Sequence, residues 1–129
     1  MKTCLVVDDS SVVRKIARRI LEELGFSVVE AEDGEQALEL CTKSLPDAIL
    51  LDWNMPVMDG YDFLGRLRRM PGGETPKVVF CTTENDIDHI SRALNAGANE
   101  YIMKPFDKEI VAAKFQEVGL IQALSAESA

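Results

Sequence analysis

The sequence has little of what marks a secreted, membrane-bound or nucleic-acid-binding protein. Its three cysteines, Cys4, Cys41 and Cys81, form no C-x-x-C pair, so neither a disulfide framework nor a zinc site is indicated. Basic residues number 14 against 22 acidic ones, and the formal net charge of -8 disfavours nucleic acid and anionic membranes as partners.

Long hydrophobic runs are also missing. No run approaches the ~20 apolar residues of a membrane span. The first apolar run is cut short by Asp8 and Asp9, which is unlike a signal peptide. We therefore expect a protein of the reducing cytoplasm.

The length of 129 residues suggests one domain, and 47% apolar residues are enough for an ordinary core. We expect this domain over residues 1–124, followed by a short C-terminal tail at 125–129. We also expect a monomer.

Five short apolar runs alternate with longer amphipathic stretches. The runs, each of strand length and mostly rich in Val, Ile, Leu or aromatic residues, cover residues 3–7, 26–31, 47–51, 77–81 and 100–103. This alternation predicts an α/β fold, (βα)5, with a five-stranded parallel sheet covered by helices on both faces. The mixed run at 26–31 fits an edge strand.

The amphipathic stretches predict five helices, over residues 11–24, 34–44, 60–70, 86–96 and 107–121. The fourth carries Ile87, Ile90 and Leu94 at helical spacing, as a helix packing against a sheet should. His89 lies on the same helix, where we expect it to be exposed and to have no metal-binding partner.

Polar residues stand where four of the strands end. Asp8 and Asp9 follow the first, Asp52 the third, Thr82 the fourth and Lys104 the fifth. The carboxyl ends of parallel strands lie along one edge, and ligands of open α/β sheets bind outside that edge. These side chains are therefore predicted to converge on one small site.

Three neighbouring carboxylates repel one another unless positive charge lies among them. Lys104 supplies one charge, and Mg²⁺, which prefers carboxylate oxygens, would supply the rest. An acidic magnesium pocket beside a lysine suits phosphoryl transfer, in which positioning and charge neutralisation matter most. A carboxylate can itself be the nucleophile and form an aspartyl phosphate.

The strings VVDDS, LLDWNMPVMDG, CTT and YIMKPF together resemble the receiver domain of two-component response regulators, especially its stand-alone CheY-like members. The resemblance covers residues 3 to about 121. It implies a doubly wound, flavodoxin/CheY-like sheet of order 2-1-3-4-5. It further implies that the protein is a phosphoacceptor in signalling rather than an enzyme.

The resemblance also implies residue roles. Asp52 would accept a phosphoryl group from a phosphohistidine on a histidine kinase. Asp9 and Asp52 would bind Mg²⁺ directly, Asp8 through water and Asn54 through its backbone carbonyl. Lys104 would pair with the phosphate, and the Lys104–Pro105 peptide would be cis.

Four further expectations come from the same source. Thr82 would hydrogen-bond to the phosphate, and Tyr101 would turn inward as Thr82 moves. The surface of the fourth helix, fifth strand and fifth helix would then bind a downstream protein in chemotaxis or motility. Asn54 and Glu84 would modulate dephosphorylation.

Other functions remain open at this point. Within the family, the chain could be a phosphorelay intermediate or a kinase-docking adaptor. A Mg²⁺-dependent phosphatase of the haloacid dehalogenase type also uses an aspartate nucleophile, but requires a second aspartate two residues later, where Asn54 stands. A flavodoxin-like carrier would need a first loop that binds phosphate, which Asp8 and Asp9 would repel.

Overall fold

A computed structural model describes residues 1–83 and 87–121. The strands are β1 (Thr3–Val7), β2 (Ser27–Ala31), β3 (Ala48–Asp52), β4 (Lys77–Thr82) and β5 (Glu100–Met103). The helices are α1 (Ser11–Glu23), α2 (Gly34–Lys43), α3 (Gly60–Arg69), α4 (Ile87–Asn95) and α5 (Lys108–Glu117). The predicted tail at 125–129 lies outside the described residues. No helix among the described residues is long and apolar enough to cross a membrane.

All five strands are parallel, in the order β2-β1-β3-β4-β5, which confirms the predicted topology. Two strands end one residue later than predicted. Asp52 is the last residue of β3, paired with Cys81, and Thr82 is the last residue of β4, paired with Met103. The side chains at these positions therefore start from hydrogen-bonded strands, which hold them more rigidly than a loop would.

The sheet separates two apolar layers. Alternate strand residues point to opposite faces. One layer holds α1 and α5, with Ala17, Leu21 and Phe115 in its core. The other holds α2, α3 and α4, with Phe63 and Leu67 in its core. The sheet edge between the layers is left to polar residues.

Helix caps explain several of the element starts. Ser10 accepts a hydrogen bond from the amide of Val13, and Asp107 accepts one from the amide of Ile110. Asp33 likewise accepts from the amide of Gln36. Each of these side chains pairs an amide that a helix start leaves without a backbone partner.

The fourth helix does not pack as its pattern predicted. Ile87 is 76% exposed and Leu94 is 42% exposed, whereas Ile90 is half-buried, so most of the aliphatic stripe faces solvent. Ala93 is the one buried residue among those of α4, all of which are described. The expectation that this stripe meets the sheet was wrong, because a periodic pattern identifies an apolar face but not what covers it.

Arg68 connects α3 to the two loops that precede β4 and β5, at the amino ends of these strands. Its guanidinium donates hydrogen bonds to the carbonyl oxygens of Gly97 (2.7 and 3.0 Å), Gly73 (2.8 Å) and Pro76 (2.9 Å). It also donates to Oδ1 of Asn99 at 3.1 Å. One side chain therefore pairs three loop carbonyls, whose loss of partners would be costly.

We expect Arg68→Met to lower the free energy of unfolding by about 2–4 kcal/mol, because methionine keeps the apolar stem but leaves those carbonyls unpaired. Urea denaturation measures the change. Arg69→Met is the matched control, since Arg69 is exposed on the same helix, and it should change stability by less than about 0.5 kcal/mol. Equal effects of the two substitutions would contradict this role for Arg68.

Candidate functional site

The predicted convergence at the sheet edge is present. The sheet order reverses between β1 and β3, and ligands of such sheets bind in the crevice at that point. Asp8 follows β1 and Asp52 ends β3 there. Nζ of Lys104, from the end of β5, lies 2.8 Å from Oδ2 of Asp8 and 3.1 Å from Oδ1 of Asp52. Segments separated by 52 and 96 residues thus meet in one ion-paired cluster.

The backbone around the cluster explains how the cation reaches the acids. The amide of Lys104 donates to the carbonyl oxygen of Thr82 at 2.9 Å, which extends the β4–β5 ladder by one bond. The Lys104–Pro105 peptide is cis, as expected. On the other side, Oδ1 of Asp8 accepts from the amide of Ser10 at 2.9 Å. Both ends of the Lys104–Asp8 pair are therefore held by the main chain.

The β3–α3 loop passes very close to the end of β3. The amide of Gly60 donates to the carbonyl oxygen of Trp53 at 2.8 Å, and a Cβ added at Gly60 would lie 2.1 Å from the carbonyl oxygen of Asp52. Only glycine permits that approach. Val57 in the same loop has φ of 69°, a conformation that β-branched residues rarely adopt. The loop is thus folded tightly behind Asp52.

Charge is concentrated in the cluster. Carboxylate oxygens of Asp8, Asp9 and Asp52 all lie within 4.8 Å of one another. Burial, and then the negative charge of Asp8, raise the pKa of Asp52 from its ordinary value of 3.8 to about 6, although Lys104 opposes this. Burial lowers the pKa of Lys104, but its hydrogen bond to Asp8 and the charge of Asp52 outweigh that effect and raise it.

This donor set fits Mg²⁺. One ammonium group pairs with two of three clustered acids, which leaves negative charge for a further cation to neutralise. Clustered carboxylate oxygens, with one of the three residues exposed to solvent that can complete an octahedral shell, suit this ion. Asp8, Asp9 and Asp52 are the residues that would hold it.

The remaining predicted residues lie around this cluster at different depths. Thr82 is 4% exposed at the end of β4. Tyr101 is half-buried on β5, and Asn54 is exposed two residues after Asp52. Glu84 lies outside the described residues.

The sequence places Trp53 beside Asp52, but it does not predict the aromatic group that this side chain joins. The Trp53 indole stacks on Tyr61 with ring centroids 5.4 Å apart, and lies 5.0 Å from Phe80 and 4.8 Å from His89. His89 is therefore half-buried against an aromatic ring rather than exposed as expected. The position of this tryptophan directly after a buried strand could have predicted the contact, because a large ring at such a place packs against neighbouring side chains.

Comparisons with known proteins agree with this geometry. The family model described as "Response regulator receiver domain" matches residues 4–116. The chain belongs to this family, whose members are signalling proteins. Its curated relatives include a "Chemotaxis protein CheY homolog" of Campylobacter jejuni, 40% identical over 88% of this chain and 89% of that protein. Chemotaxis protein CheY1 of Helicobacter pylori is 38% identical, over 88% and 94% of the two chains.

Solved structures show the same fold. The chemotaxis protein CheY4 of Vibrio cholerae superposes with a TM-score of 0.87 at 32% identity, over 92% of this chain and 98% of that one. A CheX–CheY–BeF3–Mg²⁺ complex from Borrelia burgdorferi contains a chain with a TM-score of 0.85 at 28% identity, over 91% and 88%. The protein is thus a CheY-like receiver domain, and its relatives at 36–40% identity are chemotaxis proteins.

The raised pKa of Asp52 predicts a pH-dependent instability. A carboxyl whose pKa rises from 3.8 to about 6 on folding holds its proton more tightly in the folded chain. Stability is therefore fully present below the unfolded value and is lost as pH rises through the folded one. We expect Asp52→Asn to raise the free energy of unfolding by roughly 1–3 kcal/mol near neutral pH without Mg²⁺.

Urea denaturation across that pH range measures the difference between wild type and Asp52→Asn. It should shrink as pH falls towards 3.8, where the wild-type carboxyl is also neutral. Mg²⁺ should also reduce it by stabilising only the carboxylate form. A variant that is less stable than wild type at neutral pH would contradict the electrostatic description.

The close approach at Gly60 predicts a large effect of one methyl group. We expect Gly60→Ala to cost more than ~3 kcal/mol of unfolding free energy, because its Cβ would overlap the carbonyl of Asp52. Gly65→Ala on the same helix is the matched control, since its Cβ would lie 3.8 Å from the Arg69 side chain, the nearest atoms in reach. It should raise stability by up to ~1 kcal/mol through helix propensity. Thermal unfolding of both variants decides the matter, and similar melting temperatures would rule out the tight packing.

Proposed function

We propose that this protein is a response regulator that accepts a phosphoryl group on Asp52 from a phosphohistidine of a histidine kinase, in a Mg²⁺-dependent reaction. The observation that carries the proposal is the Lys104 ammonium placed between Asp8 and Asp52 beside a third carboxylate, Asp9. A phosphoryl group is negatively charged, so its approach to the Asp52 carboxylate requires cations nearby. Lys104 and Mg²⁺ would supply that positive charge.

The transfer is a displacement at phosphorus. An Oδ atom of Asp52 attacks the phosphoryl group, the P–O bond forms, and the P–N bond to the donor imidazole breaks. The departing ring nitrogen keeps the electron pair of that bond and takes a proton from solvent. Asp8, Asp9, Asp52 and the backbone carbonyl of Asn54 would hold Mg²⁺, which would neutralise phosphoryl charge.

Lys104 acts on the same charge from the protein side. Its ammonium contacts Oδ1 of Asp52 in the free protein, so it needs little movement to pair with phosphoryl oxygens. Thr82 is buried at the end of the adjacent strand, and its hydroxyl donates a hydrogen bond to the same oxygens. Asn54 and Glu84, two positions after Asp52 and Thr82, modulate how quickly water removes the phosphoryl group.

Phosphorylation then changes the surface made by α4, β5 and α5. A phosphoryl group adds about -1.5 to -2 charge and three acceptor oxygens. Thr82 moves towards it and vacates space into which the half-buried ring of Tyr101 turns. The exposed aliphatic residues of α4, Ile87 and Leu94, offer this surface an apolar contact for a downstream protein.

Chemotaxis or motility output is the pathway that we infer, because the relatives with 36–40% identity are named as chemotaxis proteins. A phosphorelay intermediate or a kinase-docking adaptor would use the same site, and the partner decides between them. A phosphatase of the haloacid dehalogenase type is disfavoured, since exposed Asn54 stands where its second aspartate would be.

We expect acetyl phosphate with Mg²⁺ to add the mass of one phosphoryl group to the wild-type chain, as measured by intact-protein mass spectrometry. Asp52→Asn should remove this labelling, and Lys104→Met should slow it by at least about tenfold, because the ammonium no longer pairs with phosphoryl charge. Chelation of Mg²⁺ should have a similar effect.

Asp62→Asn is the matched control, because Asp62 is an exposed aspartate on α3, and its labelling should equal that of wild type. Persistence of labelling at the wild-type rate in Asp52→Asn would refute Asp52 as the phosphoacceptor.

A further inference from the structure

The residue that follows Asp52 contacts the helix whose surface carries the exposed aliphatic stripe. Trp53 is buried, at 7% exposure, and its indole centroid lies 4.8 Å from the imidazole of His89 on α4. The guanidinium of Arg92, one turn further along α4, lies 5.9 Å from the Trp53 ring and 4.8 Å from that of Tyr61. The ring that follows β3 and a ring of α3 are thus both contacted by α4.

These contacts matter because α4 buries few of its own residues. Ala93 is its one buried residue, and a methyl group buries little area. The bulky Ile87 and Leu94 side chains are directed to solvent instead. The contacts of His89 and Arg92 with Trp53 therefore add to the burial of Ala93 and the half-burial of Ile90 in holding this helix on the sheet.

Trp53 is fixed firmly at its other end. Its carbonyl oxygen accepts the Gly60 amide at 2.8 Å, and its ring also meets Phe80 at 5.0 Å. Its peptide unit is bonded directly to Asp52, so a shift of the Asp52 backbone moves the indole as well. Close-packed rings have few alternative arrangements, which makes them good carriers of a small displacement.

We propose that Trp53 is a positioning residue that sets the orientation of α4 and transmits the state of Asp52 to it. This route runs from β3 through the Trp53 ring to His89 and Arg92. It is separate from the route through Thr82 and Tyr101, which starts on β4. The transmission half of the proposal rests on the proposed phosphorylation of Asp52, whereas the anchoring half does not.

Hydrogen–deuterium exchange with mass spectrometry tests both halves on the full chain. In the unphosphorylated protein, Trp53→Leu should speed amide exchange of α4 by about tenfold, the factor that ~1.4 kcal/mol corresponds to. Exchange of α5 should stay unchanged, which separates loss of this contact from general unfolding. Trp53→Phe, which keeps an aromatic ring, should recover most of the protection.

Arg92→Met provides a second variant, should Trp53→Leu fold poorly. It removes the cation but keeps an unbranched stem, and should speed α4 exchange roughly two- to fivefold. Ser91→Ala is its matched control, because Ser91 is exposed on the same helix and has no aromatic contact among the described residues. Exchange of α4 at the wild-type rate in both Trp53→Leu and Arg92→Met would overturn the anchoring role.

Transmission is tested by adding acetyl phosphate and Mg²⁺ and following α4 exchange again. We expect phosphorylation to change α4 exchange in wild type and in Thr82→Ala, and to leave it unchanged in Trp53→Leu when intact mass confirms equal labelling. A full response in Trp53→Leu, or its complete loss in Thr82→Ala, would overturn this route. Failure of wild type to gain phosphoryl mass would instead refute the proposed function, and the exchange of the unphosphorylated variants would still decide the anchoring role.

Discussion

The structure depends most on the ammonium group that lies between two buried carboxylates. Without Lys104, the carboxylates of Asp8 and Asp52 would lose the cation that pairs with both of them, while Asp9 adds a third negative charge nearby. Even with Lys104, burial and the neighbouring charge keep the pKa of Asp52 near 6. A cluster of three acids with one paired ammonium group suits a divalent cation.

The surrounding backbone fixes this arrangement at the sheet edge. Asp52 begins from a fully buried strand, and the following loop is pressed against it by the close approach of Gly60. The backbone amide of Lys104 donates a hydrogen bond to the carbonyl oxygen of Thr82, which fixes the position from which the lysine side chain extends. Within the cluster, Asp8 and Asp52 are buried at the strand ends, whereas Asp9 is exposed to solvent.

The opposite character of α4 follows from its packing. A helix that buries one alanine and rests on rings through a histidine and an arginine is held by less apolar area than its neighbours. Elements of low local stability are the ones that move when a protein switches. The same helix presents Ile87 and Leu94 to solvent, so the helix with the fewest buried residues is also the one with an apolar surface to offer.

Much of this could be predicted from the chain alone, because hydrophobic periodicity is a local property. Alternating runs and amphipathic stretches determined the five strand–helix units, and acids at strand ends determined which residues meet, since parallel strands share one carboxyl edge. Strand order and residue roles came from family motifs rather than from periodicity. The tertiary structure alone decided what covers each helix, the half-burial of His89 on Trp53, and the carbonyls that Arg68 pairs. Those features are contacts between segments distant in sequence, and no local pattern of residue types specifies which side chain will occupy a space left by another.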